Sequence, residues 1–474
     1  MIKNDNFTKW FDDLLLEANI LDNRYPVKGF AVYKGWGSRI IKKIINILEN
    51  ELESTNHEPM MFPIVIPEDS FAKESDHIKG FNSEVFWITH AGKRLMSKKL
   101  LLRPTSETAI YPLFAYWIRS HADLPFKMHQ TVSVYRYETR ATRPLLRMRE
   151  FIWNEAHTAH ENWAEAEKQV EESVRIYTRV FECLALNYLV LKRPDFDKFA
   201  GAVFSIAFDA WNPDGRVNQI GTIHNLGDNF AKAFDITYED TEGNHRNVIQ
   251  TCYGLGLSRS LAALIAQHGD DHGLVIPPEI APVQVVVVPI TYKQINEEVK
   301  IYSREVYMVI KKMGLRVIID DDEKTKSVDK FYKWERFGVP VRVEVGPKDL
   351  AKRCVTLSER IGLKRKIVRL DEVAYTIQEL LTNITEHLRK KSQKNMQLMI
   401  IEANDLDSVK KIIMSRKIAK MSWCGRNECA EIIKAETRGG EIRGHRFDRK
   451  EKPQNRCAVC DQKAVKVVYI AKSY

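Results

Sequence analysis

The sequence lacks any apolar run long enough to cross a membrane, because its longest runs fall well short of the roughly 18 residues required. The opening segment, MIKNDNFTKWFDDLLLEANI, mixes acids with apolar residues, as in a short amphipathic helix. It has neither the apolar core nor the small-residue cleavage site of a signal peptide. We therefore expect no membrane association and a cytoplasmic location. Internal repeats and low-complexity segments are absent too, so nothing indicates a repeat protein.

Cysteines are few and unevenly spread, which argues against a secreted disulfide scaffold. Three of the seven are scattered, and the other four lie near the end of the chain. Cys424 and Cys429 have four residues between them, and Cys457 and Cys460 have two. Two such pairs can surround one zinc ion with four thiolates, which makes a closed structural site. The alternative is four reduced cysteines inside an α/β core.

Length and composition indicate a soluble globular protein of several domains. The 474 residues suggest roughly two to four domains, and hydrophobic residues make up 44% of the chain. The formal net charge of +10 suits a polyanionic partner, although a merely soluble basic protein is an equally good interpretation.

Hydrophobic patterns divide the chain into three parts. A helical pattern over Ile40 to Leu52 leads into the strand-like segment MMFPIVIP, and several strands then follow without intervening helices, which indicates a largely antiparallel sheet. After VIPPEIAPVQ, strands and helices alternate as in a compact α/β domain, with Val285 to Val288 as a buried strand. The basic segment HLRKKSQKN marks a second boundary. The predicted domains are 1–281, 282–392 and 393–474.

The segment RPTSET places Thr105 and Glu107 two residues apart at a strand edge. Both side chains can then point the same way and hold an ammonium group by hydrogen bond and charge. The alternative is a capping box at the start of a helix.

The segment VYRYETRATRPLLRMREFIWNEAHTAH predicts two strands joined by an arginine-rich loop. Arg136 and Glu138 share one strand face, and Trp153, Glu155 and His157 follow at period two on the next strand. Such a hairpin offers guanidinium groups to a phosphate and an aromatic wall to a small apolar ligand. A basic surface hairpin with a buried tryptophan is the alternative.

The segment GLGLSR pairs a glycine-rich strand end with Arg259 at a helix start. Glycine lets the backbone approach a nucleotide closely, and the arginine can cover its phosphates. In this order the three segments resemble motifs one, two and three of class II aminoacyl-tRNA synthetases, with motif one formed by the Ile40 to Leu52 helix and the strand holding Pro63. Further segments resemble the prolyl-tRNA synthetase family of the archaeal and eukaryotic type: LDNRYPVKG, RPTSET, TRPLLR, EAHTAH, DKFAGAVF, QIGTIHNLGDNFAKAFDI, HGDDHGLVIPPEIAPVQVVVVPI and VEVGPKDL.

The resemblance implies an α/β protein whose α+β catalytic domain is a class II antiparallel sheet flanked by helices. An α/β anticodon-binding domain and a small C-terminal zinc-binding α+β domain would follow. The implied enzyme is a ligase that activates L-proline with ATP to prolyl-adenylate and transfers the prolyl group to the 3′ end of tRNA(Pro). The resemblance also implies Mg²⁺ bound to the substrate, a structural Zn²⁺ and a homodimer.

The resemblance also implies the site residues. It assigns ATP binding to Arg136, Glu138, Arg147, Gln219, Thr222 and Arg259, with Arg136 and Arg259 as the catalytic pair. Proline binding falls to Thr105, Glu107, Arg136 and His224; Trp153, Phe204 and His157 can wall the flat ring, and Glu155 and Cys252 complete the set. A histidine satisfied inside the core is the alternative for His224.

The sequence departs from the family pattern at a few places. Met148 and Cys252 stand where relatives carry a small hydroxyl residue, so neither contact is carried over as a hydroxyl. The segment between Arg136 and Arg259 is too short for the bacterial-type editing insertion. Two alternative functions stay open: a class II synthetase for threonine or serine, and a non-catalytic paralogue that only binds RNA.

In the middle domain, PVRVEVGPKDL places Arg342 and Glu344 on one face of a strand, with Lys348 in the following turn. Such a face can bind exposed bases of a single-stranded loop, and the resemblance assigns these three residues to the anticodon. An ordinary solvated strand is the alternative. The acidic run from Asp320 to Glu323 is followed by KTKSVDKF, where the family has an arginine- and proline-containing loop.

Overall fold

The structure of the protein is a computed structural model, in which residue 3 and residues 6–73, 84–290, 297–454 and 456–474 are described. The first described helix, α1 (Phe7–Glu17), begins at the Asn6 N-cap, whose side chain accepts the Lys9 N–H. The opening residues of the predicted amphipathic helix lie partly outside the described residues. No helix in the described part of the chain is both long and apolar enough to span a bilayer.

The elements up to residue 268 are strands with helices between them. The helices are α2 (Gly35–Glu53), α3 (Glu68–Ala72), α4 (Glu107–Trp117), α5 (Trp163–Cys183), α6 (Asn229–Phe234) and α7 (Leu257–His268). The strands are β1 (Leu21–Asp22), β2 (Val32–Tyr33), β3 (Glu58–Pro59), β4 (Val65–Pro67), β5 (Phe86–Ala91), β6 (Arg94–Leu102), β7 (Phe126–Tyr135), β8 (Glu150–His160), β9 (Leu189–Lys192), β10 (Phe204–Trp211), β11 (Arg216–Gly227), β12 (Thr237–Glu239), β13 (His245–Asn247) and β14 (Ile249–Gly256).

The remainder of the chain alternates helices with strands. The helices are α8 (Glu297–Lys312), α9 (Ser327–Arg336), α10 (Pro347–Ala351), α11 (Val373–Met399), α12 (Leu406–Met414) and α13 (Asn427–Glu436). The strands are β15 (Val285–Pro289), β16 (Val317–Ile319), β17 (Val341–Val345), β18 (Cys354–Glu359), β19 (Arg365–Arg369), β20 (Ile400–Ala403), β21 (Ile418–Trp423), β22 (Glu441–Arg446) and β23 (Lys466–Ser473).

An antiparallel sheet forms the centre of the molecule, in the strand order β9-β10-β11-β14-β8-β7, with the short β3 parallel to β7 at its edge. Helices α2, α5 and α7 cover one face. The stripe Ile40, Ile44 and Leu48 on α2 recurs every four residues and is fully buried, because this spacing lines up side chains on one side of a helix. The predicted antiparallel sheet with flanking helices is confirmed.

The middle part of the chain is a five-stranded sheet in the order β16-β15-β17-β18-β19. Its first three strands are parallel and the last two are antiparallel to their neighbours. The run Val285 to Val288 is fully buried, since helices cover both faces of a parallel sheet. The predicted α/β domain is confirmed.

The last part of the chain extends the central sheet. Strands β20, β21, β23 and β22 continue it beyond β9, giving eleven strands in all among the described residues. Strand β22 pairs with β9 through His445 and Lys192, and β23 pairs in parallel with β11 through Lys472 and Arg216. The C-terminal segment is therefore joined to the central sheet by backbone hydrogen bonds.

Candidate active site

A cavity of about 270 Å³ opens on the face of the central sheet opposite α5 and α7. Strand alternation explains much of its lining, because Trp153, Glu155 and His157 occur at period two on β8 and face the same side. Of the predicted residues, it contains Thr105, Glu107, Arg136, Trp153, Glu155, His157, Gln219, Thr222, His224 and Cys252.

Gln219 reaches this cavity through an irregularity in the sheet. Simple alternation on β11 would turn Gln219 away from Thr222 and His224. The pairing of β10 with β11 shifts between Phe208 and Asp209, so that Ile220 is passed over in the register. Such a bulge resets the alternation, and Gln219 then shares the cavity with Thr222.

Two buried carboxylates form the floor of the cavity. Glu107 and Glu155 are 3% and 2% exposed. The Thr105 hydroxyl donates to Glu107 at 2.5 Å, and Gln130 Nε2 donates to Glu155 at 2.7 Å. Helix α4 begins at Glu107, and its N-cap residue Ser106 makes no side-chain cap bond, so the alternative of a capping box is wrong. Two acids at the floor of an open cavity suit a cationic ligand.

His157 and Cys252 border the same floor. The Tyr111 hydroxyl lies 3.0 Å from His157 Nδ1, and the Cys252 thiol donates to Glu107 at 3.6 Å. Burial and the Glu107 carboxylate raise the pKa of Cys252 well above its usual value. The Cys252 side chain is therefore a neutral thiol that donates to a carboxylate.

Aromatic rings form the walls. Trp153 packs over Gly254, and a Cβ placed on Gly254 would lie 2.9 Å from the Trp153 ring. Phe199 stacks on His224 with ring centroids 4.6 Å apart, while the Ser205 hydroxyl lies 2.7 Å from His224 Nδ1. Burial lowers the pKa of His224 to about 4, so its imidazole is neutral at physiological pH.

Phe204 does not line this cavity, which corrects the prediction for that residue. It precedes Ser205 on β10, and alternation sends the two side chains to opposite faces. The Phe204 ring packs on the hydrophobic core with Lys192 Nζ 4.2 Å from its centre. Phe199, from the preceding loop, supplies the aromatic wall instead.

A narrower pocket of about 80 Å³ continues the cavity toward Arg259 and shares Arg136, Gln219 and Thr222 with it. Arg259, at the start of α7, donates to the Leu146 carbonyl at 3.0 Å and to the Gln219 carbonyl at 3.3 Å. Burial and the nearby guanidinium groups of Arg136 and Arg147 lower the pKa of Arg259 to about 10. The group therefore keeps its positive charge at neutral pH.

The hairpin of β7 and β8 brings these arginines together. Strand β7 ends at Tyr135, so Arg136 and Glu138 lie just beyond the strand rather than on its face as predicted. Arg136 Nε donates to the Pro104 carbonyl at 3.0 Å, and its guanidinium carbon lies 5.8 Å from the centre of the Trp153 ring. Arg147 Nε lies 3.9 Å from Glu138. The pocket is a positively charged extension of the cavity.

The structure adds residues that the sequence patterns did not single out. Arg193, Asp197, Lys198, Phe199 and Ser205 also line the cavity. They belong to the stretch KRPDFDKFAGAVFS, where charged and aromatic residues follow a buried strand. Two signals in the sequence pointed to this stretch: its change of composition and the family resemblance of DKFAGAVF. Neither signal could separate Phe199 from Phe204.

The four C-terminal cysteines converge as predicted. Their sulfur atoms all lie within 4.8 Å of one another, with Cys424 Sγ 3.6 Å from Cys429 and 3.7 Å from Cys460. Four thiolates around zinc, at Zn–S distances of about 2.3 Å, have sulfur–sulfur edges of about 3.8 Å. Burial opposes ionisation of Cys460, but the Gln462 N–H and Arg426 lower its pKa to about 6. The arrangement fits a zinc ion.

Arg342 and Glu344 share one face of β17, as predicted, but that face is not open to solvent. Their side chains are 6% and 4% exposed and are 2.9 Å apart. Arg342 also pairs with Glu335 at 3.0 Å and lies over the Phe331 ring. The alternative of a solvated strand is wrong for the same reason. Lys348 is exposed on the short helix α10.

Comparison with known proteins agrees with this architecture. Residues 86–268 match the tRNA synthetase class II core domain (G, H, P, S and T), and residues 284–380 match the anticodon binding domain. The antiparallel sheet and its arginine-lined cavity are thus those of a class II aminoacyl-tRNA synthetase. Residues 406–474 match the C-terminal domain of prolyl-tRNA synthetase.

Similar proteins cover the whole chain. It is 45% identical to a "Proline--tRNA ligase" of Thermofilum pendens, over 100% of this chain and 98% of that one. A Pyrococcus abyssi protein of the same name is 44% identical over 99% and 98%. Giardia lamblia prolyl-tRNA synthetase, solved in complex with prolyl-adenylate, has a TM-score of 0.96 and 36% identity, with coverage of 100% and 99%. The chain belongs to the prolyl-tRNA synthetase (proline--tRNA ligase) family.

Proposed function

We propose that this chain activates L-proline with ATP and transfers the prolyl group to tRNA(Pro), using the cavity on the central sheet for both steps. The observation that carries the proposal is the placement of two buried carboxylates beside an aromatic wall and an arginine-lined pocket. Full-length likeness to proline--tRNA ligases, and to a synthetase solved with prolyl-adenylate, supports it.

The amino acid is held at the floor of the cavity. Glu107 and Thr105 accept the secondary ammonium of proline by charge and hydrogen bond, and Glu155 and His157 complete the polar floor. Trp153 walls one side of the flat ring, with Cys252 beneath it. The neutral His224 imidazole donates an N–H toward the proline carboxylate without adding charge.

ATP occupies the arginine-lined extension. Arg136 and Arg259 offset the charge of its phosphates, with Mg²⁺ entering bound to the nucleotide. Arg147, paired with Glu138, lies beside them, while Gln219 and Thr222 line the junction between the two pockets. Arg136 also borders the amino-acid cavity, so it is placed to contact both substrates.

Activation is an in-line displacement. A proline carboxylate oxygen attacks the α-phosphorus of ATP, the bond to the bridging oxygen breaks, and pyrophosphate leaves with prolyl-adenylate formed. The terminal ribose hydroxyl of tRNA then attacks the prolyl carbonyl carbon, AMP leaves, and the hydroxyl proton is lost to solvent or to the departing phosphate. Positioning and electrostatic stabilisation supply the catalysis.

We also propose a role for each domain of the chain. Residues 1–281 form the catalytic domain, 282–392 the anticodon-binding domain and 393–474 the zinc-binding domain, with Cys424, Cys429, Cys457 and Cys460 as ligands. The exposed Lys348 contacts the anticodon loop, while Arg342 and Glu344 hold the strand beside it. A homodimer in the cytoplasm is the assembly that the family resemblance favours.

The test is amino acid-dependent exchange of labelled pyrophosphate into ATP, measured separately with proline, threonine and serine. Proline alone should support exchange, and the same protein should charge tRNA(Pro) from a mixed tRNA pool. Exchange with threonine or serine but not proline would assign the cavity to another amino acid. Binding of tRNA with no exchange for any of the three would favour an RNA-binding paralogue.

A further inference from the structure

Asp209 lies at the junction of three parts of the fold. It is 0% exposed on β10, where it is held by one arginine that follows β9 and by another on β22 of the C-terminal segment. Arg193 contacts it through Nη2–Oδ1 at 2.9 Å and Nη1–Oδ2 at 3.2 Å, and Arg443 through Nε–Oδ2 at 2.9 Å. We call Arg193, Asp209 and Arg443 the Asp209 cluster.

The side chains of the Asp209 cluster are buried and linked by short contacts. The Arg193 and Arg443 side chains are 3% and 7% exposed. Arg193 Nη1 also donates to the backbone carbonyl of Arg443 at 2.6 Å, so the two arginines are tied to each other. Burial alone would raise the pKa of Asp209, but the two guanidinium groups bring it below its ordinary value. The carboxylate is therefore ionised and neutralised within the protein.

The cluster reaches the active site through Gln219. Arg193 lines the cavity, and its Nη2 donates to Gln219 Oε1 at 2.7 Å. A guanidinium carries donors only, so the amide oxygen of Gln219 must face Arg193. The amide N–H₂ group is the other end of the side chain, and it can donate to a ligand in the pockets that Gln219 lines. Arg193 thus fixes which of two near-identical amide orientations the site presents.

We propose that the Asp209 cluster is a positioning device through which the C-terminal segment holds Gln219 for ATP. Arg443 orients Asp209, Asp209 orients Arg193, and Arg193 presents the Gln219 amide N–H₂ to the nucleotide. This rests on the proposed binding of ATP at Gln219. The three residues act through Gln219, so they are positioning residues rather than catalytic ones.

A purely structural role makes a different prediction. If the cluster only fastens β22 to the central sheet, its loss lowers thermal stability and the amount of active protein, with both KM values unchanged. If it positions Gln219, its loss raises the KM for ATP selectively, because proline is bound by other residues at the floor of the cavity. A rise in the KM for ATP without a rise in the KM for proline therefore distinguishes the positioning role from the structural one.

The experiment compares Arg443→Gln and Arg443→Lys in the full-length chain. Arg446→Gln is the matched control, since Arg446 lies on the same strand and pairs with Asp448 in its own segment at 2.6 Å. Arg443→Gln should raise the KM for ATP at least about tenfold, the scale of one charged hydrogen bond, with the KM for proline within about twofold. The KM for ATP of the Arg443→Lys variant should lie between that of Arg443→Gln and that of wild type. The KM for ATP of Arg446→Gln should equal that of wild type.

A double-mutant cycle with Gln219→Ala completes the test. In the Gln219→Ala background, Arg443→Gln should change the KM for ATP less than about twofold, because its effect passes through the amide already removed. Full additivity of the two changes would overturn the positioning role, as would equal KM values for wild type and both Arg443 variants. If Gln219→Ala alone leaves the KM for ATP unchanged, the premise at Gln219 is wrong. That outcome differs from the failure of proline activation, which would abolish exchange in the wild-type protein.

Discussion

The Arg259 guanidinium lies close to those of Arg136 and Arg147. Three positive charges placed together in this way favour the binding of an anion. Burial and the positive charges of Arg136 and Arg147 lower the pKa of Arg259 to about 10, so the charge is retained at a cost in free energy. The pocket therefore suits an anion, because a negative charge bound there would offset the repulsion among the guanidinium groups. The cavity floor is the opposite case, because the buried carboxylates of Glu107 and Glu155 suit a cation.

Arg136 is the residue whose loss should be most damaging, because it borders both the amino-acid cavity and the phosphate pocket. Arg136→Ala should reduce proline-dependent pyrophosphate exchange at least about a hundredfold, the scale of losing one preorganised charged contact in a transition state. The control is Arg140→Ala, in the same loop but exposed and outside both pockets. Near-normal exchange by the Arg136 variant would refute the assignment.

Strand β14 shows how one element shapes two pockets. Its two glycines, Gly254 and Gly256, appear equivalent in the sequence GLGLSR, yet they meet different neighbours. A Cβ on Gly254 would lie 2.9 Å from the Trp153 ring, which is closer than side chains tolerate, whereas a Cβ on Gly256 would meet Arg259 at an ordinary 3.4 Å. Only Gly254 is required by a close approach.

Gly254→Ala should therefore push the Trp153 ring into the cavity and raise the KM for proline by about tenfold or more. Gly256→Ala should change it less than about threefold. Alanine is compatible with the extended backbone at both positions. A difference in the KM for proline between the two variants therefore reports the contact with Trp153 rather than strand propensity. Steady-state exchange over a range of proline concentrations measures both. Equal KM values for the two variants would contradict this account of the aromatic wall.

At the scale of the whole molecule, the C-terminal segment is part of the same sheet that carries the cavity. Strands β22 and β23 pair with β9 and β11 of the central sheet, and Tyr474 at the end of the chain donates to Asp214 at 2.6 Å. The cysteine cluster lies in this segment. An ion that orders the segment would therefore also support the edge of the active-site sheet.

Purified protein should accordingly contain about one zinc ion per chain. Cys457→Ser should lose the zinc and melt at a lower temperature, because the binding free energy of a four-thiolate site contributes directly to folding. Cys354→Ser, which removes a buried cysteine outside the cluster, should keep it. Elemental analysis together with thermal melting measures both effects. A fully folded wild-type protein without zinc would rule out the site.

Acid should destabilise the whole molecule through its buried histidines. Burial lowers the pKa of His57, His224 and His268 to about 4 and that of His160 to about 3, against about 6.5 when unfolded. The unfolded chain binds more protons below pH 6.5, so stability is complete above that value. It should fall as the pH drops toward 4, by about 1 kcal/mol per histidine and pH unit.

Proton uptake on thermal unfolding near pH 5.5 measures this effect directly. The His268→Gln variant should take up about one proton fewer than wild type on unfolding. In wild type the fully buried His268 imidazole binds a proton only when the protein unfolds, and glutamine cannot bind one. An unchanged uptake in the His268 variant would contradict the depressed pKa.

Much of the architecture and most of the site could be predicted from the sequence. The α2 stripe, the valine run of β15 and the period-two set on β8 follow from repeats that match helix and strand geometry, which local sequence encodes. The convergence of the four cysteines followed from their spacing and the geometry of zinc. Resemblance to the family supplied the residues that lie far apart along the chain.

What the sequence by itself determined about this protein is therefore the type of each element, the faces of its regular strands and the chemistry of its motifs. Tertiary structure alone decided the rest. A bulge in β11 directs Gln219 into the cavity. Alternation on β10 turns Phe204 away from the cavity, and Phe199 lines it instead. Glu335 and Glu344 pair with Arg342, which is therefore buried. Tertiary structure also joined Arg443 to Asp209 across the central sheet. These outcomes depend on contacts between distant segments, and no local pattern of residues records which segments will meet.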